Sequence, residues 1–129
     1  MEEIQWYYIH GKNERRCELL VNDLIEKYKT KNEMWDLPNE EVVYDIRNEY
    51  QKSRRLKYRE QPILLFKKLE EMKSNSIEVE IKSLVKTGIP EIILLSSYHS
   101  PEYYKWTHEL MMKYPMKIIN VDESLLIVN

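Results

Sequence analysis

Residues 4–16 of the chain read Ile4-Gln5-Trp6-Tyr7-Tyr8-Ile9-His10-Gly11-Lys12-Asn13-Glu14-Arg15-Arg16, and this stretch decides the fold. Residues 4–9 are apolar or aromatic on both faces of an extended chain, and β-branched and aromatic residues favour strand. A strand that is buried on both faces is typical of a parallel sheet covered by helices. Gly11 then turns the chain, and Asn13 is suited to cap a helix because its side chain accepts a bond from a free N–H group.

The helix after Gly11 has apolar side chains on one face and charged side chains on the other. The apolar face carries Cys17, Leu20, Val21, Leu24, Ile25 and Tyr28. Later in the chain, Ile92-Ile93-Leu94-Leu95 predicts a second doubly buried strand, and Ser100-Pro101-Glu102 predicts the start of another helix. Residues 116–121 predict a third strand, and residues 124–128 predict a fourth strand at the edge of the sheet.

The middle of the chain reads as helical. Asn39 is expected to begin a helix that runs into the basic residues 52–59, and Pro62 is expected to break it and begin another over residues 63–72. Residues 77–81 alternate as a strand does, but the longer window has helical spacing and stops at Gly88, so we predict a helix there.

Taken together, these elements predict one α/β domain that spans residues 1–129. We expect a small, mainly parallel sheet of about four strands with helices on both faces, which makes a three-layer architecture. It would be either Rossmann-like or a degenerate form of the P-loop type.

Composition narrows the class of protein. The chain has 129 residues, 43% of them hydrophobic and 33% charged, as expected for one globular domain. Its apolar runs are too short to span a bilayer, and its first residues lack the plan of a signal peptide, so we expect a cytoplasmic protein with no membrane association. The single cysteine, Cys17, agrees with a reducing compartment. A net charge of −2 argues against nucleic acid as the partner.

Polar side chains follow the first two buried strands. Because the carboxyl ends of parallel strands share one edge, where open α/β sheets bind ligands, we expect these side chains to meet. Two helix N-termini and several cations there suit a phosphate group. We therefore predict a site for an anionic, nucleotide-like ligand at His10, Gly11, Lys12, Asn13, Arg15, Arg16, Ser97 and His99. The alternative is that these are ordinary solvated turn residues, because strand-to-helix turns are polar in most α/β proteins.

This layout resembles the P-loop nucleotide kinases, most nearly the deoxynucleoside monophosphate kinases of phages. The first strand of that family enters a loop of the form Gly-x-x-x-x-Gly-Lys-Ser/Thr. If Gly11 is the first glycine, the last three motif positions hold Arg16, Cys17 and Glu18. If Gly11-Lys12 is the Gly-Lys pair, Asn13 replaces the metal-binding hydroxyl.

A second family motif, Asp-x-Arg-x-Pro, follows a later strand. Here that strand leads into Ser97-Tyr98-His99-Ser100-Pro101, which keeps the proline and lacks the acid and the arginine. The resemblance therefore implies a kinase-like scaffold whose phosphate loop and metal site are missing. We expect no cofactor and no metal site, since the three histidines lack metal-ligand spacing.

Two functions remain open from the sequence. The first is a non-catalytic binding or regulatory protein that acts through a protein partner, through self-association or through an anionic ligand. Its partner surface would include Arg54, Arg55, Tyr98 and Tyr103, because tyrosine and arginine are enriched at interfaces. The second is a divergent nucleotide-processing enzyme, either a phosphotransferase or a hydrolase, with Lys12, Arg15 and Arg16 on the phosphates.

Overall fold

The computed structural model describes residues 3–47, 61–72 and 74–123. The first half contains β1 (Gln5–His10), α1 (Glu14–Lys31), the one-turn α2 (Asn39–Val42), β2 (Val43–Asp45) and β3 (Ile63–Phe66). A short 3₁₀ helix (Leu69–Glu71) leads to α3 (Ser74–Lys86) and β4 (Ile92–Ser97). A second 3₁₀ helix (Pro101–Tyr103), α4 (Lys105–Lys113) and β5 (Met116–Asn120) follow.

The five strands form one parallel sheet in the order β2-β3-β4-β1-β5. The opening strand, β1, lies inside the sheet between β4 and β5, and its His10 is in register with Ser97 of β4. The predicted α/β class with a parallel sheet is confirmed, and the described residues form five strands where about four were expected. The predicted strand over residues 124–128 lies outside the described residues.

Helices cover both faces of the sheet because successive strand residues point to opposite sides. On one face, Trp6 and Tyr8 of β1 pack with the inner residues of α3 and α4, such as Ile81 and Leu110. On the other face, Ile9 packs with the apolar stripe of α1. The fold is therefore three layers deep, and each of the two outer helical layers is held to the sheet by its own apolar cluster.

The helix predicted from Asn39 into the basic residues 52–59 does begin at Asn39, but it ends after one turn, and residues 48–60 lie outside the described residues. The helix predicted over residues 63–72 is wrong. After the single turn of α2, the chain extends into β2, and Ile63-Leu64-Leu65-Phe66 is a strand that is buried at all four positions. A short, continuous apolar run has no period of its own, so a buried strand and a buried helix look alike in sequence. The parallel pairing of residues 63–66 with β2 and β4 shows that this run is a strand.

Other local predictions are confirmed. Residues 77–81 belong to α3, β4 and β5 lie where they were expected, and Asn13 caps α1 by accepting a hydrogen bond from the N–H of Arg16 at 3.2 Å. The helix predicted from Ser100-Pro101 begins as a 3₁₀ turn, and α4 starts at Lys105. Within the described ranges, no helix combines the length and the apolar character that a membrane crossing requires.

Candidate functional site

The carboxyl ends of β1 and β4 lie side by side at the centre of the sheet. The N–H of Gly11 donates to the carbonyl oxygen of Ser97 at 3.2 Å, just beyond the last paired residues. From β1 the chain leaves through α1 on one face, and from β4 it leaves through α4 on the other face. Neighbouring strands whose connections diverge in this way leave a crevice between them, the usual ligand position in open α/β sheets.

The turn at Gly11 is packed closed. Its φ angle is +150°, and a Cβ atom at this position would lie 2.6 Å from Cγ2 of the buried Val121. The N–H of Val121 in turn donates to the carbonyl oxygen of His10 at 2.9 Å. Only glycine fits this position without a shift of its neighbours, because both the backbone angle and the space exclude a side chain.

The carboxylate of Asp122 accepts hydrogen bonds from the backbone N–H groups of this loop. The backbone N–H of Lys12 donates to Oδ2 of Asp122 at 2.8 Å, and that of Asn13 donates to Oδ1 at 3.3 Å. Asp122 is itself held by a bond from its own N–H to the side-chain oxygen of Asn120 at 3.0 Å. Asp122 therefore lies where a phosphate group would contact the first N–H groups before α1.

Aromatic side chains surround the end of β4. The ring of His99 stacks on Tyr103 with centroids 3.8 Å apart and an interplanar angle of 9°, and the exposed Tyr98 meets His99 edge-on. The fully buried Tyr8 donates from its hydroxyl to the carbonyl oxygen of His99 at 2.9 Å. The two exposed tyrosines are thus attached to the core through the backbone of His99.

Glu70, from the turn after β3, holds the same strand end. Its Oε1 accepts from the hydroxyl of Ser97 at 3.2 Å and from the N–H of Tyr98 at 2.9 Å, while the N–H of His99 donates to the Ser97 hydroxyl oxygen at 3.1 Å. The buried Ser97 is therefore engaged on both sides. Its hydroxyl positions the backbone at the end of β4, which is a structural task.

Burial controls the titration of the polar rings at this edge. Desolvation lowers the pKa of His10 below its ordinary value, and the carboxylates of Glu102, Asp122 and Glu123 offset part of that effect. Desolvation also raises the pKa of the Tyr8 hydroxyl well above its ordinary value. At neutral pH His10 is uncharged and Tyr8 is protonated, so neither contributes a charge for an anionic ligand.

The structure brings together some of the predicted ligand residues. His10, Gly11, Ser97 and His99 lie at one strand edge, and Lys12 and Asn13 follow directly in the loop that binds Asp122. Arg15 and Arg16 lie in the first turn of α1. Their binding of an anion stays a prediction. Of the predicted partner residues, Tyr98 and Tyr103 are exposed at this edge, whereas Arg54 and Arg55 lie outside the described residues.

A separate cleft of about 210 Å³ opens on the α1 face of the sheet. It lies between α1 and the carboxyl ends of β3 and β4, and no pattern in the sequence indicates it. The sequence does not indicate that Asp122, Glu70 and Leu65 of β3 belong to this region, because no local pattern places any of them near Gly11 or Ser97. Among residues 3–47, 61–72 and 74–123, no three His, Cys, Asp or Glu side chains are grouped to hold a metal ion.

Comparison with known proteins identifies no relative. No protein-family model, curated protein sequence or solved structure matches the chain. The functional argument therefore rests on the geometry of this edge alone.

Proposed function

We propose that the protein is a non-catalytic binding protein of the cytoplasm that acts through a protein partner. It would do so on a scaffold like that of a nucleotide kinase that has lost its phosphate site. The observation that carries this proposal is the carboxylate of Asp122 on the N–H groups of Lys12 and Asn13. A loop whose donors already hold an internal anion is poorly suited to turnover of a phosphate substrate.

The free-energy cost of displacing Asp122 by a phosphate group follows from the hydrogen bonds that must break. A phosphate that bound to this loop would first displace Asp122 and break two hydrogen bonds to a charged acceptor. Because both bonds are exposed, their loss costs about 1–3 kcal/mol in total, which weakens phosphate binding roughly 5- to 150-fold. Repulsion between the phosphate and the displaced carboxylate would add to this cost.

The aromatic edge supplies a surface for a partner. Tyr98 is 47% exposed and Tyr103 is 64% exposed, and the ring of His99 stacks on Tyr103 and meets Tyr98 edge-on. Tyrosine offers a large amphipathic contact area and has few rotatable bonds to order on binding. The bonds of Glu70 and Ser97 to the backbone of residues 98 and 99 fix this surface in advance, which lowers the entropic cost of association.

The test combines partner capture with two sets of variants. Tagged protein is used to isolate a partner from lysate of the source cells, and light scattering gives the mass of the purified complex. We expect Tyr98→Ala with Tyr103→Ala to abolish the complex. Trp35→Ala is the matched control, because Trp35 is 61% exposed but lies in the connection after α1. Equal loss of the complex in the control would contradict the assigned surface.

The alternative function, a nucleotide-processing enzyme, is tested with the same protein. A panel of nucleotides is screened for an increase in the melting temperature of the wild type and of Lys12→Ala. Under the proposal no nucleotide stabilises the wild type. Stabilisation that Lys12→Ala abolishes, together with a protein that stays monomeric and captures nothing, would favour the enzyme and overturn the binding proposal.

A further inference from the structure

The rings at the end of β4 form a stack that has one open end. His99 covers one face of Tyr103, with ring centroids 3.8 Å apart and an interplanar angle of 9°, and Tyr104 makes edge contacts with both rings. Tyr103 is nevertheless 64% exposed, so its other face is open to solvent. A flat group that enters there would extend the stack that His99 and Tyr103 begin.

The second exposed ring, Tyr98, widens this surface. It meets His99 edge-on, with centroids 5.3 Å apart, and is 47% exposed. Among the described residues, no lysine or arginine lies over the ring of Tyr98 or Tyr103, although the chain makes such a contact elsewhere, between Lys113 and Tyr114. The faces of both exposed tyrosines are therefore available to a cation that a partner supplies.

The charged groups beside these rings are mainly carboxylates. Glu70 accepts from the N–H of Tyr98 at 2.9 Å, and Glu102 directly precedes Tyr103 in the second 3₁₀ helix. Neither carboxylate forms an ion pair within the described part of the chain. Lys105 is the one lysine or arginine in residues 97–105, so the two carboxylates exceed it by one negative charge.

The buried ring beneath this surface experiences the same sign of potential. Desolvation raises the pKa of the Tyr8 hydroxyl, and the carboxylates of Glu70 and Glu102 raise it further. Lys68, two residues before Glu70, does not offset them, because its ammonium group is paired with Glu14 at 2.7 Å. The potential over the stack is therefore negative, and it attracts cations and repels phosphate groups.

We propose that this edge binds an arginine side chain of the partner protein. The guanidinium group is both flat and permanently charged, so it lies on the open face of Tyr103 and donates to the carboxylate of Glu102. Lysine would bring the charge without the flat surface, and a nucleobase would bring the flat surface together with a phosphate. Because it names the group through which the partner attaches to Tyr98 and Tyr103, this contact rests on the proposed function.

The direct test is an NMR chemical-shift titration of the whole protein with three matched probes. Nα-acetyl-arginine methylamide carries the guanidinium group, its citrulline counterpart has the same shape without the charge, and its lysine counterpart has the charge without the flat group. We expect the arginine probe to shift the ring resonances of Tyr98 and Tyr103 and to bind about two- to fivefold more tightly than either counterpart. Equal dissociation constants for the three probes, or unshifted tyrosine resonances, would overturn the proposal.

Variants assign the binding to the named groups. Tyr103→Leu keeps an apolar side chain and removes the ring, so it should weaken the arginine probe about two- to fivefold and abolish its advantage over the lysine probe. Glu102→Gln should weaken it about twofold, because exposed charges contribute little. Glu18→Gln is the control, since it changes the net charge equally on the exposed side of α1, at the opposite face of the sheet. Wild-type affinity in Tyr103→Leu, or equal weakening in Glu18→Gln and Glu102→Gln, would overturn the assignment.

The captured complex separates this contact from the proposed function. The arginine probe should release the partner at a lower concentration than the citrulline probe does. Equal release by both probes, from a complex that still requires Tyr98 and Tyr103, would overturn the arginine contact and leave the proposed function standing. Titration with a short oligouridylate tests nucleic acid as the occupant, and tighter binding of it than of the arginine probe would overturn the proposal.

Discussion

Substitution of Gly11 by alanine tests whether the turn at the centre of the sheet is closed as the structure shows. Two separate costs are expected. The φ angle of +150° is one that side-chain-bearing residues rarely adopt, at a cost of about 1–3 kcal/mol. The new methyl group would also lie 2.6 Å from Val121 and 3.0 Å from Oδ1 of Asp122, and overpacking of this kind costs about 1–3 kcal/mol.

The free energy of unfolding should therefore fall by about 2–6 kcal/mol in Gly11→Ala. With an unfolding entropy of about 2.1 cal/mol/K for each of the 129 residues, this lowers the melting temperature by roughly 7–22 °C. Val121 cannot easily move aside, because it is 3% exposed and packs in the apolar cluster beneath α1.

Gly88 is the matched control within the same chain. Its φ angle is also positive, at +73°, but no atom lies within 4 Å of the position of an added Cβ. Gly88→Ala should therefore cost only the backbone term, about 1–2 kcal/mol. Urea unfolding measures the free energy of unfolding of both variants. The two values are compared when the slopes of this free energy against urea concentration are equal. A loss in Gly11→Ala that does not exceed the loss in Gly88→Ala would refute the closed turn.

Two further predictions concern titratable groups at the same end of the sheet. Burial lowers the pKa of His10 below its ordinary value of 6.5. Between the lowered pKa and 6.5, the unfolded chain therefore binds a proton that the folded chain does not. The free energy of unfolding should then fall as the pH drops below 6.5. NMR titration of the ring should give the lowered pKa, and urea unfolding of His10→Asn should show a flatter dependence on pH; an equally steep one would contradict the assignment. The pKa of Cys17, raised to about 11 from 9.0, predicts alkylation by iodoacetamide roughly 100-fold slower near pH 8 than in the urea-unfolded chain, and equal rates would contradict it.

The elements that have strong local sequence patterns can be predicted from the sequence. The strand before Gly11 is aromatic on both faces, α1 is amphipathic over many turns, and Asn13 is a standard capping residue, so each could be recognised within its own window. The two strands at the β2 side of the sheet, β2 and β3, have sequences that equally fit a helix. They are three and four residues long, and only their pairing with β4 and with each other distinguishes them from helix.

The candidate site was harder to predict, because its decisive contacts join distant parts of the chain. The predicted meeting of His10 with Ser97 followed from one general rule about parallel strands. The bond from Lys12 to Asp122 joins residues 110 positions apart, and the bond from Ser97 to Glu70 joins residues 27 positions apart. In the sequence, Asp122 has the signature of a turn residue and nothing more.

The position of Asp122 has two consequences, one for stability and one for the binding of anions. It ties the end of β5 to the loop that leads into α1, which stabilises the edge of the sheet next to the opening strand. It also presents a negative charge at the point where the helix dipole and the free N–H groups would otherwise attract an anion. A phosphate group at this loop would have to compete with Asp122 for the two N–H groups, so the bonds that fix the end of β5 also weaken the binding of an anion.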